Sequence, residues 1–187
     1  LADFWVVERS AETGDAFLYG GQAGLKLKFD SGKTYFALGG GYYDYTNLKN
    51  FPAVGGFAGN SNTGGEYVNE YQLTEFFADF GSSIGEMPIG IYGEYVTNGG
   101  IDKDDKHKDN VGWIAGLSAG RWDKLGAFGL KYNYREVQRD AVFGAFTDSD
   151  FVGGGTDGRG HVAELDLGIN KNAYLAFTYY INTKYIS

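Results

Sequence analysis

Alternation of apolar and polar side chains with a period of two, kept up over segments of about ten residues, restricts this chain's fold more than any other feature. In residues 16–29, Phe17, Tyr19, Gly21, Ala23, Leu25, Leu27 and Phe29 fall on one face, and Leu18, Gly20, Gln22, Gly24, Lys26 and Lys28 on the other. The same design recurs in 88–97, 110–122, 127–137, 158–170 and 173–184, for example Phe128, Leu130, Tyr132 and Tyr134 against Lys131, Asn133 and Arg135. Side chains that alternate in this way make a strand with one greasy face and one wet face. A short strand over 2–9 is also expected. In 34–45 both faces carry aromatics and glycine, so the pattern leaves inside and outside open there. In 66–80 the apolar face passes from Tyr71 and Leu73 to Phe76, Ala78 and Phe80, a slip that predicts a β-bulge near Thr74. The count is about nine strands.

About ten residues is the length a tilted strand needs to cross a bilayer, whereas no window approaches the roughly 20 apolar residues of a membrane helix. The connections alternate too. Residues 30–33, 82–87, 123–126 and 171–172 read as tight turns, while 46–65, 98–109 and 140–157 are long, polar and rich in Gly and Asp. Short turns on one rim and long loops on the other are the asymmetry of outer-membrane barrels, the short side being periplasmic and the long side extracellular. Composition agrees: 31 Gly, 15 Tyr and 14 Phe stand beside 2 Pro and no Cys, with mean hydropathy −0.31. A soluble barrel would also alternate, but would turn its apolar face inward. The reading is an all-β, antiparallel transmembrane β-barrel. Bacterial single-chain barrels have an even strand number, so 1–187 is expected to be a single barrel domain that forms part of a larger one, lacking upstream strands and a final strand. Residues 1–9 carry neither a basic leader nor a cleavage site, which leaves a secretory signal either removed or placed upstream; the strand count favours the second.

A net charge of −8 argues against nucleic acid as a partner. Asp102, Asp104, Asp105 and Asp109 cluster with Lys103, Lys106, His107 and Lys108; the EF-hand ligand order is missing, and a solvated loop is the better reading. His107 and His161 are too far apart in sequence to suggest a metal pair. No nucleophile elbow, phosphate loop or cysteine nucleophile is present. No enzyme, metal or cofactor is expected.

Residues 39–47 (GGGYYDYTN), 69–81 (NEYQLTEFFADFG) and 87–98 (MPIGIYGEYVTN), with WVVER at 5–9 and LYGGQAG at 18–24, resemble the Gram-negative "putative porin" family of outer-membrane proteins. The resemblance implies a general channel, oligomeric and by porin analogy trimeric, sitting in outer-membrane lipid and admitting small hydrophilic solutes.

In such a channel the working groups are lumen-facing charges. The alternation assigns Lys26, Lys28, Glu75, Asp79, Glu94, Lys131, Arg135, Glu164 and Asp166 to the lumen. They either bias ion selectivity, with the acid excess favouring cations, or brace the wall as ion pairs. The loop 46–65, with Phe51, Pro52, Val54 and Phe57, either folds into the lumen or packs on its neighbours or at a subunit contact; 140–157 offers the same alternatives through Phe143, Phe146 and Phe151. Trp5, Tyr43, Tyr45, Tyr67, Tyr95, Trp122, Tyr134 and Tyr185 fit aromatic girdles at the membrane interfaces. The competing function is a non-transporting barrel acting as an adhesin or membrane anchor through its long loops.

Overall fold

The computed structural model describes residues 1–9, 14–53, 55–101 and 109–185. The strands are β1 (Ala2–Val7), β2 (Ala16–Phe29), β3 (Thr34–Tyr45), β4 (Asn62–Thr63), β5 (Glu66–Tyr67), β6 (Tyr71–Ile84), β7 (Met87–Asn98), β8 (Val111–Gly120), β9 (Phe128–Val137), β10 (Gly158–Asn170) and β11 (Ala173–Lys184). Nine of them make one antiparallel sheet in the order β1-β2-β3-β6-β7-β8-β9-β10-β11, and β4 pairs with β5 in a separate two-stranded ribbon. The large sheet is open, with β1 and β11 as its edges. Both edges run toward the long-loop rim, so closing them directly on each other would make a parallel pair. The only helical elements among the described residues are two short 3-10 turns, and no helix is long and apolar enough to cross a membrane.

Strand existence follows the alternation closely: β2, β3, β10 and β11 have the bounds expected from it. The turn after β6 is tighter than the sequence suggests, with the ladder running to Ile84↔Met87 and leaving two residues, of which Gly85 takes φ 62°. Hairpin turns this short need a left-handed conformation there.

Directly opposed residues share a face, so the pairings sort every side chain. Leu27, Phe36, Phe80, Ile91, Leu117, Tyr132, Ala163 and Tyr179 form one unbroken row across eight strands. This face is bare: Leu25 is 57% exposed, Leu117 53%, Leu130 46% and Phe177 57%. The opposite face is overlain at one end by the long loops. The two sides of β3, which the sequence left open, are now assigned, with Phe36 and Leu38 on the bare face and Tyr35, Tyr43 and Tyr45 on the covered one.

The bulge expected near Thr74 is absent. β6 pairs without interruption from Tyr71 to Gly81 against β3 and from Leu73 to Ile84 against β7. Tyr71 and Leu73 lie on the covered face with Glu75 and Asp79, and are apolar because a loop packs on them; they are 0% and 6% exposed. What looked like a slipped face is two faces, each apolar for its own reason. The segment 66–70, expected to begin this strand, instead holds β5 and a connecting turn.

Leu117 and Ser118 are neighbours on opposite faces of β8. If the bare face meets lipid near its midplane, Leu117→Arg should cost about 2–4 kcal/mol, while Ser118→Arg is tolerated. Equilibrium folding in lipid vesicles separates the two, and equal losses would refute the assignment of faces.

Candidate functional site

The covered face carries all nine charges expected at a lumen. Lys28, Tyr35, Gly81, Gly90, Ser118, Lys131 and Glu164 form one row. Lys26, Ala37, Asp79 and Tyr92 begin the next. Arg135 and Glu94 each face Ile114, Glu75 faces Val96, and Asp166 faces Gly129, all on the same side.

These groups do not all do the same thing. On β9 and β10, Lys131 pairs with Glu164 and reaches Asp166 at 3.6 Å. This triad links β9 to β10. Arg135 Nη1 lies 2.9 Å from Asp148 Oδ2 in the loop above it, with its guanidinium 4.4 Å from the Phe151 ring centroid. On β6 and β7, by contrast, Glu75, Asp79 and Glu94 have no Lys or Arg partner among the described residues. Glu75 accepts from the Tyr43 hydroxyl at 2.9 Å and from the Gln22 amide at 3.2 Å, and Asp79 accepts from the Tyr35 hydroxyl at 2.9 Å. Lys26 Nζ sits 3.5 Å from the centroid of that Tyr35 ring. Lys28 lies exposed on the same face of β2. The covered face therefore holds an acidic strip without a basic partner among the described residues, with neutral donors on Glu75 and Asp79, flanked on one side by the β2 lysines and on the other by the Lys131–Glu164–Asp166 triad.

The long-loop end of this face is roofed. Segment 46–70 and segment 138–157 fold onto it and onto each other. Phe143 (1% exposed) packs among Tyr45, Tyr67 and Tyr71, with ring centroids 5.3, 5.7 and 5.7 Å away, and Ala16, Leu48 and Leu73 complete the buried cluster. Farther along the same segment, Phe151 and Val152 dock on Val162 of β10. One segment thus spans the face from β3 and β6 to β10. Of the alternatives raised for these loops, packing on neighbours is what the structure shows, one of those neighbours being the covered face of the sheet. Phe51 lies under the Arg9 guanidinium, 4.1 Å from the ring centroid, while Val54 lies outside the described residues.

Apolar packing alone would not fix such polar loops, and a buried network does the rest. The Asp140 carboxylate, in a residue 2% exposed, accepts from Ser61 N (2.9 Å), Asn69 Nδ2 (3.1 Å) and the Tyr71 hydroxyl (3.0 Å). Asn98 Nδ2 donates to the backbone oxygens of Glu70 and Asp140, both at 2.9 Å. Asn60 Nδ2 donates to Arg139 O (2.8 Å) and Val142 O (2.9 Å), and Asn60 Oδ1 accepts from Gly144 N at 2.8 Å. Sequence reasoning missed Asn60, Asn98 and Asp140, because Asn and Asp in a Gly-rich loop read simply as turn formers.

The girdle residues divide. Trp5, Tyr95, Tyr134 and Tyr185 keep outward positions, Tyr134 with its ring centroid 5.2 Å from that of Trp113. Burial, and then the Glu136 carboxylate, raise the Tyr185 phenol above its usual range, so it stays neutral. Tyr43, Tyr45, Tyr67 and Trp122 are corrections. Tyr43 binds Glu75 on the covered face, and Tyr45 and Tyr67 are buried in the loop cluster at 6% and 1% exposure. Trp122 crosses the covered side of Gly168 and stacks on Tyr174 at 4.1 Å. Position near a strand end does not say which face a ring takes. Conversely His161, absent from that set, lies outward between Tyr132 and Tyr134, its Nδ1 2.6 Å from the Tyr132 hydroxyl.

No three His, Asp or Glu side chains among the described residues converge to hold a metal ion. Asp102, Lys103, Asp104, Asp105, Lys106, His107 and Lys108 lie outside the described residues.

Compared with known proteins, residues 82–187 match the family described as "Putative porin". No curated protein and no solved structure matches the chain.

Asp140→Ala would leave the Ser61 amide, the Asn69 amide and the Tyr71 hydroxyl without their acceptor, at about 1–3 kcal/mol for each buried group. Segment 138–157 is then expected to open while the sheet persists, seen as faster trypsin cleavage after Arg139. Cleavage at an unchanged rate would show that the carboxylate does not hold the segment.

Proposed function

The chain belongs to the "Putative porin" family, and from that premise we propose that it builds the wall of a water-filled channel for passive diffusion of small hydrophilic solutes and ions across the outer membrane of a Gram-negative bacterium. The observation that carries this reading is the contrast between the faces of one sheet. Leucine, isoleucine, phenylalanine and tyrosine stand uncovered on the bare side over eight strands, and nine charged side chains gather on the other. A soluble chain rarely leaves more than a few hundred Å² of contiguous apolar surface open; lipid is the solvent that suits this one. Strands of 10–14 residues from β2 to β11, the ribbon β4–β5 apart, match the roughly 9–11 that a bilayer requires.

In this proposal the sheet is completed into a transmembrane barrel by strands beyond these residues, odd in number so that every pairing stays antiparallel. The short turns face the periplasm and the long loops the exterior. Lys26, Lys28, Glu75, Asp79, Glu94, Lys131, Arg135, Glu164 and Asp166 line the pore. Segment 138–157 narrows it, pinned across the lumen by Phe143 at one end and Arg135 with Phe151 at the other. The unpaired strip of Glu75, Asp79 and Glu94 favours cations. Assembly is homo-oligomeric, with a trimer as the porin-like case. The adhesin or anchor reading needs the long loops as an outward binding surface; their burial against the polar wall supports a channel instead.

Reconstitution into planar bilayers is expected to give stepwise conductance with cation preference, and Glu75→Gln with Glu94→Gln should lower the cation-to-anion permeability ratio without abolishing the steps. A stably inserted but silent barrel would favour the anchor.

A further inference from the structure

Three aromatic rings of the covered face lie down over glycines. Tyr92 of β7 stands directly opposite Gly116 of β8, and its ring leans across the strand gap onto that glycine. A Cβ at Gly116 would fall 2.3 Å from Tyr92 Cζ and 2.5 Å from Oη. Tyr35 of β3 faces Gly81 of β6 in the same way, and a Cβ there would fall 2.2 Å from Cε1 and 2.6 Å from Cζ. Phe77 repeats the arrangement over Gly39, at 2.4 Å from its Cζ. Strand side chains ordinarily stand nearly perpendicular to the sheet. Here each ring is laid flat in the niche left by the missing side chain of its cross-strand partner. The Lys26 ammonium, 3.5 Å from the Tyr35 centroid, marks a ring face accessible to a charged group from the same side of the sheet.

We infer that Gly81 and Gly116 widen the bore on the short-turn side of segment 138–157, and so raise the channel's conductance and size cut-off, by giving the rings of Tyr35 and Tyr92 room to lie against the wall. The inference rests on the channel reading above. The atoms a new Cβ would strike belong to the far end of a movable side chain, so a substitution displaces the ring and leaves the backbone where it is. With the neighbouring strand closed to it, the ring turns up into the lumen. The two niches differ in one respect. The Tyr35 hydroxyl donates to Asp79 at 2.9 Å, so raising that ring also strips the carboxylate of its donor, whereas Gly116 governs width alone.

The test is unitary conductance in planar bilayers, with uncharged polyethylene glycols of graded mass to measure the cut-off. Gly116→Ala is expected to lose conductance and to exclude smaller polymers than the unsubstituted channel does. Adding Tyr92→Ala should return both to at least the starting values. Gly93→Ala, on the bare face where the new Cβ meets only the Ile114 carbonyl at 3.4 Å, should conduct unchanged. If Gly116→Ala does not insert, Gly81→Ala with and without Tyr35→Ala carries the same comparison, and there the cation-to-anion ratio should shift as well. Full conductance in the glycine variants, or a loss that removing the tyrosine does not reverse, overturns the inference while leaving the channel standing. A silent unsubstituted chain overturns the channel reading and this inference with it.

Discussion

Everything in this structure depends on an unbroken register. From β2 to β11 the seven pairings of the large sheet run in step, disturbed only where Asn170 meets the last turn. Because side chains alternate with a period of two, a slip of one residue at any seam would turn every later charge onto the apolar face. Nothing of the kind occurs, and so Lys26 on β2 and Asp166 on β10, far apart in the chain, face the same way. The ladder has a second consequence: from β3 to β10 the backbone groups within the paired registers find their partners in neighbouring strands, the condition for any backbone that meets hydrocarbon.

The covered face is not uniformly polar, and its variation decides where the loops go. Near the short turns it carries charge, as at Lys28, Lys131 and Glu164. Near the long loops it turns aromatic and aliphatic, with Tyr45, Tyr71 and Leu73, and that end is where Phe143 and Leu48 find something to pack against. Hydrophobic contact selects the landing place, and the hydrogen bonds of Asp140, Asn60 and Asn98 fix the pose. Those amides and carboxylates would be costly to bury alone; because their partners are supplied by both loops, the roof forms cooperatively.

The strands were legible in the sequence because alternation is a local property, readable from ten residues at a time. Face was legible wherever one side was plainly charged, as in 127–137 with Lys131 and Arg135. It failed where both sides were apolar for different reasons. Tyr71 and Leu73 carry no mark that separates an apolar side chain facing a loop from one on the bare face, and the same ambiguity placed Tyr45 and Tyr67 in a girdle. The Asp140 network was hidden because its members lie up to 84 residues apart, and hydrogen bonds between loops leave no periodic trace. The flat rings were hidden too: that the sequence is rich in both Gly and Tyr is obvious, but that Gly116 stands opposite Tyr92 is a fact of register.

The common direction of β1 and β11 has a consequence for self-association. Two copies could join β11 to β11, or β1 to β1, in antiparallel fashion only if one were inverted, carrying its long loops to the opposite end of the sheet. In the proposed membrane setting, one-way insertion forbids that pose. The edges of this sheet are thus mismatched to their own twins and matched to strands of opposite sense, the kind that close the proposed barrel, so strand direction alone discourages edge-to-edge polymerisation without a charged or proline guard residue.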